Sequence, residues 1–284
     1  MSMIDTSDLG RPIKGPSALG SDPRRFWHLT QTMAVMDFKL RFFGSALGYV
    51  WQLMRPLLLF GVLYMLFAVV LKLDDAPYYP EALLLGLVLF TFFADSTRGA
   101  VGSLVARESL VRKIEFPRLA VPLSVVLTAL FNLGLNLLPV FVFLLVDGGT
   151  PRWTWLELPF LILLLAALGT GLAMLLSSLF VRYRDIDPIW EIVMQLLFYA
   201  SPIFYVIQTV QDHSESLAKA FMYNPFAAII QQARHAMLGP GHPSAATVMG
   251  SDVLLLVPVG ICVAVLVLGY VVFDRRAPLI AEEL

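Results

Sequence analysis

Residues 26–56 read FWHLTQTMAVMDFKLRFFGSALGYVWQLMRP. Large apolar residues recur at Phe26, Leu29, Met33, Met36, Leu40, Phe43 and Leu47, in alternating steps of three and four. That rhythm is one stripe of an α-helix. The other side carries His28, Gln31, Thr32, Asp37, Lys39 and Arg41, with Asp37 and Arg41 at the i, i+4 spacing of a helix-surface ion pair. Alone, the pattern also describes an amphipathic helix on a soluble core. Here it leads through Gly44, Gly48, Trp51 and Arg55-Pro56 into the apolar run Leu57 to Leu71. The expectation is an amphipathic interface helix over 26–48, lying on a membrane surface and hinged onto a first span.

Composition agrees. Of 284 residues, 58% are hydrophobic and 14% charged, with a mean hydropathy of +0.77. Soluble domains are about 25% charged, so the chain reads as an integral membrane protein. The single cysteine, Cys262, lies in an apolar run and excludes an intramolecular disulfide. Residues 1–25 hold Gly10, Pro12, Gly15, Pro16, Gly20 and Pro23 among polar residues, which predicts a flexible cytoplasmic tail and not a signal peptide.

Six transmembrane helices are expected, over about 49–71, 81–101, 121–146, 156–181, 188–207 and 252–273, since a crossing needs about 20 apolar residues. The fold class is therefore all-α integral membrane, with residues 26–284 as one transmembrane domain. Fourteen of the 20 Lys and Arg fall on one side, four (Lys72, Arg152, Lys219, Arg234) fall on the other, and Arg55 and Arg98 sit at span ends. The positive-inside rule puts both termini in the cytoplasm. The long outer connection, Gln208 to Ser251, contains the apolar part Ser216–Leu238, interrupted at Asn224-Pro225-Phe226. Short re-entrant helices packed against protein are expected there, with a small extracellular domain as the alternative.

On the inner side, Leu104, Val105, Leu110, Val111 and Ile114 alternate with Arg107, Glu108, Arg112, Lys113 and Glu115 ahead of Phe116-Pro117. This predicts a short charged cytoplasmic helix that docks a partner protein, or else a solvated loop whose charges enforce topology. Asp95 and Arg98, three residues apart in the second span, can neutralise one another; Glu191 and Gln195 lie early in the fifth. Asn132 and Asn136 share a face of the third span and suit interhelical hydrogen bonding.

Some chemistry is missing. None of the five lysines follows a glycine, so the phosphate-cradling G-x-x-x-x-G-K-[ST] loop is absent and the chain itself binds no nucleotide by that route. His28, His213, His235 and His242 show no ligand spacing, and no metal is expected.

Three passages together resemble the ABC-2 permeases that export polysaccharides. Residues 37–51, DFKLRFFGSALGYVW, are similar to their interface helix, and residues 111–118, VRKIEFPR, to their cytoplasmic coupling helix. Residues 182–186, RYRDI, followed by Ser201-Pro202-Ile203-Phe204-Tyr205, look like their fourth-to-fifth span segment, and Asn224-Pro225 matches the outer loop. The resemblance covers nearly everything from Phe26 onward. It implies a transport subunit, not an enzyme, in the cytoplasmic (inner) membrane of a cell that builds a glycan envelope. The working unit would be two copies of this chain plus two ABC ATPase subunits, with ATP and Mg on the ATPase and no cofactor on this chain. The cargo would be a lipid-linked polysaccharide, such as O-antigen, teichoic acid, capsule or galactan, entering beside the surface helix. No nucleic-acid partner is expected.

The residues fit such cargo. Lys39, Arg41 and Arg55, where the surface helix meets the first span, can meet an anionic polyprenyl-diphosphate head, or ordinary anionic membrane lipid. Phe60, Tyr64 and Phe67 on the first span, with Phe198, Tyr199, Phe204 and Tyr205 on the fifth, can line a path for the apolar faces of sugar rings, or can serve as packing aromatics. Arg107, Glu108, Arg112, Lys113 and Glu115 would couple to the ATPase. Two other assignments stay open: an ABC-2 exporter of a drug or small lipid, and a membrane-embedded enzyme acting on isoprenoid phosphates. The enzyme would need acids, His or Ser gathered at a membrane face, and no such group stands out.

Overall fold

Pro23 opens the first helix. Asp22 accepts a hydrogen bond from the Arg24 amide at 2.8 Å on its side chain, and proline at the first helical position loses no bond. This cap starts the helix three residues ahead of the expected boundary. The computed structural model describes residues 22–42, 48–72, 76–112 and 116–283, without the side chains of Phe42, Tyr49, Ala281 and Glu282. The predicted tail up to residue 21, the stripe residues Phe43 and Leu47, and the coupling residues Lys113 and Glu115 lie outside the described residues.

All regular structure among the described residues is helical. Helix α1 (Pro23–Phe42) precedes α2 (Tyr49–Tyr64), which ends in a π-helical turn, Met65–Val70. Then come α3 (Tyr79–Val101), two single turns α4 (Ser103–Ala106) and α5 (Glu108–Val111), α6 (Ala120–Val146), α7 (Glu157–Phe180) and α8 (Ile186–Ala200). Four short helices follow, α9 (Ile207–His213), α10 (Glu215–Met222), α11 (Pro225–Leu238) and α12 (Ala245–Met249), and α13 (Leu256–Glu283) closes the chain.

Among the described residues five helical stretches are long and apolar enough to cross a membrane: Val50–Val70, Tyr79–Val101, Ala120–Val146, Trp153–Arg182 and Asp252–Ile280. The remaining predicted span, 188–207, differs. Its helix α8 has 15 residues, about 22 Å at 1.5 Å per residue, short of the ~30 Å hydrocarbon core. Pro202 disfavours the α conformation at the residue before it, and Ser201 is extended, at φ −108° and ψ 148°.

The central helix is α3, on which every residue from Tyr79 to Leu89 except Pro80 is buried. It packs on α6 and α7, and α7 packs most extensively on α13. Glycines permit that last contact. A Cβ on Gly171 would lie 2.6 Å from the Val265 carbonyl oxygen, and one on Gly269 would fall on the Gly171 carbonyl, so the two backbones touch directly.

Phe26 and Met33 of α1 share one apolar cluster with Phe273, Ala277 and Ile280 of α13. The two ends of the described chain therefore meet at one end of the bundle. Helix α13 runs well past Phe273, the expected span end, because Ala277 and Ile280 are buried there.

Helix α1 lies on α6, with part of its apolar stripe facing away from the bundle. Ala34 and Thr30 are fully buried, whereas the stripe residues Met36 and Leu40 are 60% and 67% exposed. Small side chains allow the close approach: the Ala34 carbonyl accepts from the Thr128 hydroxyl of α6 at 3.3 Å, and Phe38 meets Phe131 edge-on at 5.7 Å. The expected Asp37–Arg41 pair is replaced by longer-range ones. Asp37 pairs with Arg107, and Arg41 with Asp95 at 3.8 Å. Asn132 and Asn136 are buried, but both Asn132 amide atoms and Asn136 Oδ1 lack a hydrogen-bond partner. The bonding expected between helices through these three atoms is not formed.

Candidate functional site

Three groups of side chains gather around the ends of α2, α3 and α8. The first is a cavity of about 440 Å³ between α1 and the helices α3, α4 and α6, lined among others by Asp37, Arg41, Ser103, Arg107 and Thr128. Of the three predicted headgroup residues, Arg41 lines this cavity. Its guanidinium pairs with Asp95 of α3 at 3.8 Å, which joins α1 to the second predicted span. Lys39 is exposed on the outer face of α1.

The second group is aromatic. Phe67 stacks on Phe204 at 4.8 Å, and Phe204 is ringed by Phe198 at 5.8 Å, Tyr199 at 6.0 Å and Tyr205 at 5.2 Å. Phe60 and Tyr64 stack separately at 5.7 Å, with Phe143 at 5.9 Å from Phe60. Seven aromatics separated by up to 145 positions in sequence thus form two neighbouring arrays where α2 passes the end of α8.

A polar frame holds the Phe204 array in place. After α8 breaks, three successive carbonyls lack a helical partner, and side chains supply one for each. Arg234 Nη2 donates to the Ile203 carbonyl at 2.7 Å and Nη1 to that of Tyr205 at 3.1 Å, while the Tyr79 hydroxyl donates to the Phe204 carbonyl at 2.7 Å. Arg234 Nε also donates to the Ala82 carbonyl at 3.2 Å. Gly86 leaves room for this guanidinium: a Cβ there would stand 3.2 Å from both Nη2 and the Ile203 oxygen. Loop counting treats Arg234 as one more cation, yet it is fully buried. The available signal was an arginine inside the apolar run of α11.

Further clasps fix the short helices α9 to α12. Asn224 caps α11, accepting from the Phe226 amide at 3.1 Å. Trp155 Nε1 donates to the Met237 carbonyl at 3.1 Å, and Thr154 Oγ1 to that of Ala236 at 2.6 Å. His235 Nδ1 donates to the His242 carbonyl at 2.7 Å, and His242 Nε2 to the Pro77 carbonyl at 2.8 Å. Burial pushes the His242 imidazole down to about 4, with Arg234 and His235 adding to the effect. Among the described residues no three His, Cys, Asp or Glu side chains are grouped to hold a metal ion.

The third group is the predicted coupling segment. In place of one helix it forms two single turns joined at Arg107. Arg107 points inward, to Asp37 and to the Ser124 hydroxyl at 3.0 Å. Glu108 and Arg112 pair at 2.8 Å with both side chains about half exposed. Behind them Arg118 is buried, donating from Nε to the Val111 carbonyl at 3.4 Å and from Nη1 to that of Ala277. Burial lowers its pKa.

Comparison with known proteins places these features. Residues 28–238 match the model of the ABC-2 type transporter family. An O-antigen export system permease protein of Myxococcus xanthus is 31% identical over 195 residues, covering 68% of this chain and 74% of the relative. A Klebsiella pneumoniae protein of the same description is 30% identical over the same shares. With five helices of membrane-crossing length and apolarity among its described residues and a family match over residues 28–238, this chain belongs to the ABC-2 type transporters, as a multi-pass transport permease.

Proposed function

We propose that the chain is the permease subunit of an ATP-driven exporter that moves a lipid-linked polysaccharide of the O-antigen type across the cytoplasmic membrane. The observation that carries this reading is the cavity under α1, lined by both Arg41 and Arg107, with Arg41 paired to Asp95 at 3.8 Å. Guanidinium groups at the foot of a surface helix suit the phosphates of a lipid-linked sugar, and the Myxococcus xanthus and Klebsiella pneumoniae relatives are O-antigen export permeases. Two copies would form the conduit and two ATPase subunits would drive it. Both termini would be cytoplasmic. Helix α8 with the segment 201–206 would complete a sixth crossing, with α9 to α11 dipping back into the outer leaflet. The aromatic arrays would receive the apolar faces of sugars, and the exposed Glu108–Arg112 pair, with Lys113 and Glu115, would meet the ATPase.

The test is depletion of the protein in its native cell. Lipid-linked glycan accumulating on the cytoplasmic side supports the assignment, and unchanged glycan distribution overturns it.

A further inference from the structure

We propose that the Asp37–Arg107 pair is an anion-exchange latch, in which a phosphate-bearing lipid headgroup entering the cavity displaces the Asp37 carboxylate from Arg107. The inference rests on the permease reading for the source of that headgroup, but the latch itself is argued from geometry.

Arg107 sits between α4 and α5 at φ −117° and ψ 31°, outside the helical conformation of either turn. Its guanidinium reaches away from the joint to two different helices, to Asp37 of α1 and to the Ser124 hydroxyl of α6 at 3.0 Å. One side chain therefore ties the surface helix to the segment proposed to meet the ATPase. The tie lines a cavity of about 440 Å³, within the ~300–1,000 Å³ range of ligand sites. Arg41 lines the same cavity, and its own partner, Asp95, is 3.8 Å away. Two guanidinium groups thus face one space, each matched by a carboxylate.

A guanidinium fork accepts phosphate oxygens as readily as carboxylate oxygens. A diphosphate has more oxygens and more charge than Asp37 and can bridge Arg107 and Arg41 together. The exchange is conditional. The Arg107 side chain is only 21% exposed, so parting it from Asp37 with nothing in exchange would strand a largely buried charge. An arriving phosphate removes that obstacle. Asp37 is then released with α1, whose Met36 and Leu40 already face outward, and the α4–α5 joint is uncoupled from the surface helix. Headgroup occupancy would reach the ATPase-facing segment through a single side chain, which gives Arg107 a role apart from direct contact with the ATPase.

The test uses the whole transporter, chain and ATPase, in phosphatidylcholine nanodiscs, with farnesyl diphosphate as the probe. Spin labels at Met36→Cys and Ser109→Cys, in a Cys262→Ser background, report the separation of α1 from the joint. The latch predicts that farnesyl diphosphate increases this separation. It also predicts that Asp37→Asn tightens binding about tenfold by removing the internal competitor, whereas Arg107→Gln weakens it about tenfold or more. An ordinary structural ion pair predicts the same direction for both variants. Weaker or unchanged binding by Asp37→Asn, or a label distance indifferent to the probe, overturns the proposal. If phosphatidylglycerol alone opens the latch and farnesyl diphosphate adds nothing, the exchange stands and the cargo is overturned as its source.

Discussion

Arg234 on α11 and Ile203, in the break after α8, are joined by a 2.7 Å hydrogen bond from the guanidinium to the main-chain carbonyl. Among the described residues the hydrogen-bond partners of Arg234 are the Ala82, Ile203 and Tyr205 carbonyls and no carboxylate. A helix interrupted by Pro202 leaves carbonyls that bilayer lipid cannot satisfy, and the arginine fork answers two of them at once.

Arg234→Met should therefore lower the stability of the purified permease by about 3 kcal/mol, since each carbonyl left buried and unsatisfied costs ~1–3 kcal/mol. Arg234→Lys, which keeps the charge but loses the fork, should recover less than half of that. Thermal unfolding in detergent measures both, and a wild-type midpoint for Arg234→Met would contradict the role.

The glycine contact between α7 and α13 makes a sharper comparison. Gly171→Ala and Gly269→Ala should each cost about 1–3 kcal/mol through forced separation of the helices. Gly61→Ala meets open space on α2 and should stay within about 1 kcal/mol of wild type. Equal midpoints for all three would refute direct backbone contact.

His242 supplies a pH dependence. Its folded pKa is depressed to about 4 from the ordinary 6.5, so the unfolded or locally opened form binds the proton first. The stabilisation is complete above pH 6.5 and is lost as pH falls toward 4, on the order of 3 kcal/mol in all. Amide exchange in residues 239–245 should accelerate across that window, and His242→Gln should flatten the response.

Tyr199 separates packing from passage. Its side chain is 59% exposed beside Phe198 and Phe204. Tyr199→Ala should leave the unfolding midpoint within about 1 kcal/mol yet slow export severalfold, as followed by the appearance of surface glycan. Unaltered export would remove Tyr199 from the path.

Much of this was legible in sequence because hydropathy and turn chemistry act locally. The apolar runs predict six crossings and coincide with the five helices that, among the described residues, are long and apolar enough to cross a membrane, and Asn224-Pro225 stands at the start of α11. The aromatics of the first and fifth predicted spans are visible in the sequence, but the meeting of Phe67, Phe198, Tyr199 and Tyr205 around Phe204 depends on the tertiary fold. What escaped notice depends on distant partners. Asp37 and Arg41 stand at pairing distance on a helix, but an exposed i, i+4 pair is worth only ~0.3–0.5 kcal/mol, and the partly buried Arg107, 70 residues away in sequence, takes the carboxylate. Arg118 and Arg234 read as loop cations because charge counting cannot see burial. Asp22-Pro23 was a readable helix start, hidden in a segment whose glycines and prolines suggested a tail.

Under the proposed function these helices form a conduit with no engine of their own. Reconstituting the permease in liposomes with and without its ATPase, and following a fluorescent lipid-linked glycan between leaflets, tests this directly. Transfer is expected only with the ATPase and ATP, and both transfer and ATPase co-purification should be lost in a Glu108→Ala, Arg112→Ala, Lys113→Ala variant. Sustained transfer by the permease alone would contradict it.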